Sequence, residues 1–246
     1  MKKLLLIMSI FATLFGCGKK QPSYPQDTIT ARDGSEITFT FYAHASLGIE
    51  WNGLHIYVDP VGDFDWENQP KADLILITHS HYDHLEMATI EQLRNAKTVI
   101  MCDKTSAEAF DHDCITMLPR AFSAPLDGVV VKAVPAYNIS EGHTDFHPQS
   151  REDCGYLITL GETTIYIAGD TEDNDDVLAL RDIDVAFLPV NQPYTMTVEQ
   201  VTRVVEAIRP TIFYPYHYGQ VEQTTDLDAL TSAVAPITDI RIFPME

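Results

Sequence analysis

Three histidines and an aspartate fall within six positions of this chain, in the run Thr78-His79-Ser80-His81-Tyr82-Asp83-His84. Imidazole nitrogen and carboxylate oxygen are ligands that zinc takes at about 2 Å. The spacing sorts them. On a chain leaving a strand, His79 and His81 at i and i+2 can point the same way and grip one ion, whereas Asp83 and His84 begin the next turn and face elsewhere. One loop therefore carries donors for two ions. Helix capping would account for a single Asp or Ser at this place, not for a cluster of His, Asp and His in register.

The elements around the run must hold it still. Leu74-Ile75-Leu76-Ile77 is a continuous apolar run before it and reads as a buried strand, so the donors stand on the loop at a strand end, where sites are usually built. A helix over Leu85–Leu93 follows. Glu36-Ile37-Thr38-Phe39-Thr40-Phe41 alternates as a half-buried strand does, and Leu54–Val58 pairs with a preceding strand across an Asn52-Gly53 turn. The pattern continues with a strand at Thr98–Met101, a short helix near Ser106–Asp111 and strands within Gly128–Val134. A second half begins at Gly155–Leu160, turns at Gly161-Glu162 and returns through Thr164–Ala168. Strands near Val185–Leu188 and Ile212–Tyr214 flank a helix whose apolar residues Val198, Val201, Val205 and Ile208 recur at helical spacing. Strands and helices in that order read as an α/β chain, and the order is what a sandwich of two sheets with helices outside would require.

The metal run matches the HxHxDH motif of the metallo-β-lactamase superfamily, and the chain resembles that family from about residue 31 onward. Ile167-Ala168-Gly169-Asp170-Thr171 is similar to its second metal-binding turn, and Tyr214-Pro215-Tyr216-His217-Tyr218-Gly219 to the strand end that supplies the last histidine. The resemblance implies the four-layer αββα fold. Within the superfamily the chain looks most like the branch of ascorbate-6-phosphate lactonase and the N-acyl-phosphatidylethanolamine phospholipase D enzymes, through Tyr42-Ala43-His44-Ala45-Ser46, Val58-Asp59-Pro60, Pro135-Ala136-Tyr137-Asn138, Phe146-His147-Pro148 and Thr195-Met196-Thr197.

Carried over residue by residue, the resemblance implies one metal ion on His79, His81 and a third histidine, and a second on Asp83, His84 and His217, with Asp170 between them. Many relatives place the third histidine where this chain has Asn138. Two candidates follow, His143 and His147, and the branch's FHP pattern favours His147. Such donors without thiolate suit zinc and admit manganese or iron. Water held between two such ions deprotonates near neutral pH, so hydroxide is formed with no Ser or Cys nucleophile. Hydrolysis of a lactone or phosphodiester is the implied reaction, with Asp83 and Asp170 orienting the nucleophile and passing a proton to the leaving group. His44 reads either as a rim or supporting residue or as a satisfied structural histidine, and Asn191, Tyr194, Thr195 and Met196 as the lining of the mouth. His55, inside a strand, and His112, in an acidic loop, are not expected to be ligands. A metal-loaded binding lipoprotein without turnover is the alternative, but it would be expected to have lost Asp170 or a histidine.

Length and charge bound the rest. At 246 residues the chain suits one large domain. Its formal charge of −20 repels phosphate backbones, which need Lys and Arg to displace counterions, so a nucleic-acid substrate is not expected and a small molecule is. Lys2-Lys3 followed by the apolar stretch from Leu4 to Phe15 has the form of a targeting leader, too short to span a bilayer as a helix. It ends in Leu14-Phe15-Gly16-Cys17, which resembles the bacterial lipobox. The expected organisation is a signal peptide over 1–16, lipidation at Cys17, a tether over 17–30 and the hydrolase domain over 31–246. The protein would sit on the cell envelope, and by the family's sorting rule Gly18 favours the outer membrane. Of the other cysteines, Cys102 and Cys114 are candidates to pair, while Cys154 would stay a reduced, buried thiol.

Overall fold

The structure is a computed structural model that describes residues 24–111, 114–219 and 223–245. The leader, Cys17, the first part of the tether and His112 lie outside the described residues. Two seven-stranded sheets face each other. The first holds β1 (Gln26–Thr30), β2 (Glu36–Ala43), β3 (Ser46–Trp51), β4 (Leu54–Val58), β5 (Leu74–Ile77), β6 (Val99–Cys102) and β7 (Ile115–Thr116), in chain order. The second holds β8 (Phe122–Leu126), β9 (Val129–Pro135), β10 (Cys154–Leu160), β11 (Thr163–Ile167), β12 (Val185–Pro189), β13 (Ile212–Tyr216) and β14 (Asp239–Ile240). Each sheet repeats one plan. Its first four strands pair antiparallel, and its last four pair parallel.

Burial follows the pleat. Leu74 and Leu76 of β5 enter the core between the sheets. Ile75 and Ile77 enter a second core with Ile90 and Leu93 of α1 (Met87–Leu93). A strand covered on both faces must be apolar throughout, which explains the unbroken run. Between the sheets Phe39 meets Phe187 edge-on at 5.2 Å, and Phe41 stacks on Phe243 at 4.1 Å. Helix α4 (Val198–Ile208) packs with α3 (Asp175–Leu178) and α5 (Leu227–Val234). Val201, Val205 and Ile208 are buried as the spacing predicts, and a capping box of Thr197 and Gln200 starts α4. These layers form the expected αββα sandwich.

Three boundaries differ from the sequence reading. The span taken as tether already contains β1, which pairs with β2 from Gln26↔Thr40 to Thr30↔Glu36. Its sequence is polar because it is an edge strand with only Ile29 buried. Helix α1 starts at Met87 rather than Leu85, since His84 and Leu85 donate their amides to the His81 carbonyl in a separate turn. The short helix α2 (Lys104–Ala107) begins two residues early because Asp103 accepts the amides of Thr105 and Ser106.

The parallel strands aim their C-terminal ends the same way, and the functional loops leave from those ends, as in other open α/β sheets. Asp59 follows β4, the histidine run follows β5, Asp170 follows β11, Asn191 follows β12 and His217 follows β13. One glycine makes the approach possible. A Cβ on Gly155 would stand 2.3 Å from the Ala168 carbonyl, so only glycine lets β10 lie this close to the turn that presents Asp170.

Candidate metal centre

Eight side chains converge at this end of the sandwich: His44, His79, His81, Asp83, His84, His147, Asp170 and His217. They include every ligand expected from the sequence. His79 Nε2 and His81 Nδ1 lie 3.1 Å apart, and with His147 they form a three-histidine group. His84 Nε2 and His217 Nε2 are also 3.1 Å apart, and with Asp83 and His44 they form a second group. Asp170 stands between the groups and faces both. Its Oδ2 is 3.3 Å from His147 Nε2 and 4.0 Å from His79 Nε2. Its Oδ1 is 3.3 Å from His217 Nε2 and 3.4 Å from His84 Nε2.

Partners behind the rings set their orientation. His84 Nδ1 is 2.8 Å from Asp59 Oδ2, so its proton goes there and Nε2 is left for the centre. Thr78 donates its hydroxyl to the same Asp59 oxygen and is 3.0 Å from His79 Nδ1, whose proton it accepts. Asn191 lies 3.1 Å from His217 Nδ1. On the other side, Arg151 reaches His81 Nε2 at 2.7 Å and Ser80 at 3.2 Å, and Asp153 stands 3.8 Å from His147 Nδ1.

The cluster is electrostatically tense without cations. Burial alone would push Asp170 toward its neutral form, but His217 and His84 hold its carboxyl well below the usual range. Asp83 is held low by His217 and His44 against the same burial. Burial and the neighbouring His84 push His79 well below the ordinary value. For His147 burial is outweighed by Asp153 and Asp170, and its pKa rises to about 9.

The choice between His143 and His147 has a geometric answer. His147 is 2% exposed within the cluster, whereas His143 turns its Nδ1 to Glu172 at 3.2 Å. Glu172 is fully buried and also accepts the amides of Ile139 and Ser140, which fixes the loop leading to His147. Asn138 cross-ties that loop to the next by donating to the Tyr194 carbonyl at 2.7 Å. Tyr194 is 40% exposed, and its ring meets Phe146 edge-on at 4.9 Å. Thr195 and Met196 do not line the mouth, and that expectation is corrected. Both are fully buried: Thr195 Oγ1 accepts the Asn191 amide, and Met196 belongs to the main hydrophobic core. Asn191 is also buried and serves His217 rather than the mouth. Asp59, Asp153, Arg151 and Glu172 were not singled out from the sequence as site residues. Cys102, Cys114 and Cys154 are free thiols, with the Cys102 and Cys114 sulfurs 3.3 Å apart.

Residues 38–217 match the beta-lactamase superfamily domain. The chain belongs to the metallo-β-lactamase superfamily. It is 32% identical over 195 residues to a UPF0173 metal-dependent hydrolase of Pyrococcus furiosus, covering 74% of this chain and 85% of that protein. A UPF0173 metal-dependent hydrolase of Thermococcus kodakarensis is 34% identical over 198 residues, with the same coverage. Among solved structures, one from Parabacteroides distasonis that bears the name metal-dependent hydrolase superposes with a TM-score of 0.85 at 37% identity, over 91% of this chain and 100% of that one. A metallo hydrolase from Ignicoccus hospitalis shares the fold at a TM-score of 0.71 and 22% identity, over 85% of this chain and 95% of that one. This superfamily member is a metal-dependent hydrolase, and its His and Asp cluster is able to bind metal.

Proposed function

We propose that the enzyme works with two divalent ions, most suitably zinc, on a lactone or phosphodiester of small size, while anchored by lipid to the cell envelope. The observation that carries the two-ion reading is the placing of Asp170, with one oxygen toward each histidine group. The donor set fits. It is nitrogen and carboxylate without thiolate, and Asp170 Oδ1 is buried with no hydrogen-bond partner, as expected of an oxygen meant for a cation.

His79, His81 and His147 would hold the first ion and Asp83, His84 and His217 the second, with Asp170 bridging. Bound there, the ions supply Lewis acidity and bring the pKa of a coordinated water near neutrality. The protein supplies placement. Asp59, Thr78 and Asn191 fix the ring tautomers; for His217, a half-turn of the Asn191 amide brings its Oδ1, which lacks a partner, onto the Nδ1 proton. Asp170 is 3% exposed and acts as an anchor. The side chain of Asp83 is 27% exposed, so of the two carboxylates it is the one able to meet solvent and hand a proton toward a leaving group. Tyr194 and Phe146, edge-on at 4.9 Å, offer an apolar wall for the substrate.

Purified protein loaded with zinc, manganese or iron should hydrolyse lactones or phosphodiesters in preference to β-lactams, and lose activity reversibly to a chelator. Turnover confined to β-lactams would overturn the substrate assignment. The anchor rests on the charged leader, its apolar stretch and Cys17. Cys17→Ser should release the domain to the soluble fraction or block processing, and wild-type protein found soluble with Met1 retained would refute the location.

A further inference from the structure

We infer that His44 is itself a metal donor, joining Asp83, His84, His217 and the bridging Asp170 as a further protein ligand of the second metal position. This rests on the two-ion reading above and extends it. Of the six histidines in the cluster, His44 is the one that the resemblance assigns to no ion, and it lies in the turn between β2 and β3. Its Nε2 nevertheless stands 3.1 Å from Asp83 Oδ2, and its donor atom is within 4.8 Å of those of Asp83, His84 and His217. The ring lies 3.8 Å from that of His217 and 6.2 Å from that of His84.

The backbone supports a role beyond a hydrogen bond to Asp83. His44 has φ +54° and His217 φ +50°, a left-handed conformation that a side chain bearing a Cβ adopts at a cost. Both are held there. His217 donates its amide to the His44 carbonyl at 2.9 Å, and His44 donates its own to the Met245 carbonyl at 2.8 Å. The two strained turns thus lock main chain to main chain, and their rings are delivered to the same side of Asp83. An ordinary hydrogen bond to one carboxylate oxygen does not require this. A converging set of donors does.

With Asp170 counted, the position with His44 would have five protein donors and the position of His79, His81 and His147 four. A fuller set of protein donors leaves less room for water, so the position with His44 would be the better retained of the two.

The test uses full-length protein carrying 15N-labelled imidazoles and loaded with 113Cd. Scalar coupling to cadmium marks a ring nitrogen as a ligand. The six histidines of the cluster should all be coupled, and His55 and His143 should not. In His44→Gln one coupled ring should disappear while the other five remain, and dialysis against a chelator should strip the second ion from this variant at least ~10-fold faster than from wild type. Coupling of five rings in wild-type protein, with His44 silent, would overturn the inference and leave two-ion binding standing. Absence of bound cadmium would overturn both. The wild-type count decides even if His44→Gln fails to fold.

Discussion

The two halves of the metal centre are built from similar rings and backed by different materials. Behind His84 and His217 stand Asp59, Thr78 and Asn191, all buried, and a main-chain bond between two strand ends. Behind His81 and His147 stand Arg151 and Asp153, and the Arg151 side chain is 25% exposed. The first arrangement has few ways to move. The second is reached by water at His81, itself half-buried. The halves therefore differ in what holds their rings rather than in access to water, since the Asp83 and His44 side chains of the first are 27% and 23% exposed.

The largest effect should come from the residue the halves share. Asp170→Ala should reduce hydrolysis to the uncatalysed background while leaving most of the fold intact by circular dichroism; activity above background would show that the halves work independently. Next, His147→Ala should lower bound metal by one ion per chain and remove most activity. His143→Ala should do neither, and it should cost below about 1 kcal/mol of stability, since its pair with Glu172 is partly exposed. The reverse order in elemental analysis would show that the loop's other histidine serves the half that holds His79 and His81. Asp59→Asn tests the buried backing of the first half, and should weaken metal binding roughly 10–100-fold because the His84 tautomer is no longer enforced. An unchanged titration would mean that backing does not distinguish the halves.

The smallest effect is on pH dependence without metal. His147 has its pKa raised from 6.5 to about 9 in the folded protein, so its stabilising contribution is complete below pH 6.5 and is lost as pH climbs through about 9. Metal-free protein should lose up to roughly 3 kcal/mol over that window from this group. Metal-loaded protein should not, because the same ring is then occupied. Thermal melts of both forms from pH 6 to pH 9.5 measure the difference, and parallel curves would contradict it.

What could be read in the sequence was what lies contiguous in it. The run from His79 to His84 announces itself because a strand end brings neighbours in sequence together in space. Asp170 and His217 were found through resemblance, and the structure brings them to the same place. Asp59, Asp153 and Glu172 were harder, since a lone acidic residue in a loop looks the same whether it faces solvent or the back of an imidazole. Met196 misled for the opposite reason. It sits among polar neighbours in sequence, with no apolar period to mark it as a member of the main core. The edge strands β1 and β8 went unread because one is polar and the other carries Pro125, so neither shows the alternation of a covered strand.

His84 and His217 face each other from positions 133 residues apart in sequence, and the strand carrying the second is among the last to be made. A nascent chain emerges at about 5–20 residues per second, so for many seconds the early histidines are displayed with no opposite wall. Until β13 docks, the cluster lacks the His217 donor and the main-chain bond that His217 makes to His44. The donor set is therefore complete only when the chain through β13 has folded, so its assembly reports on both sheets at once.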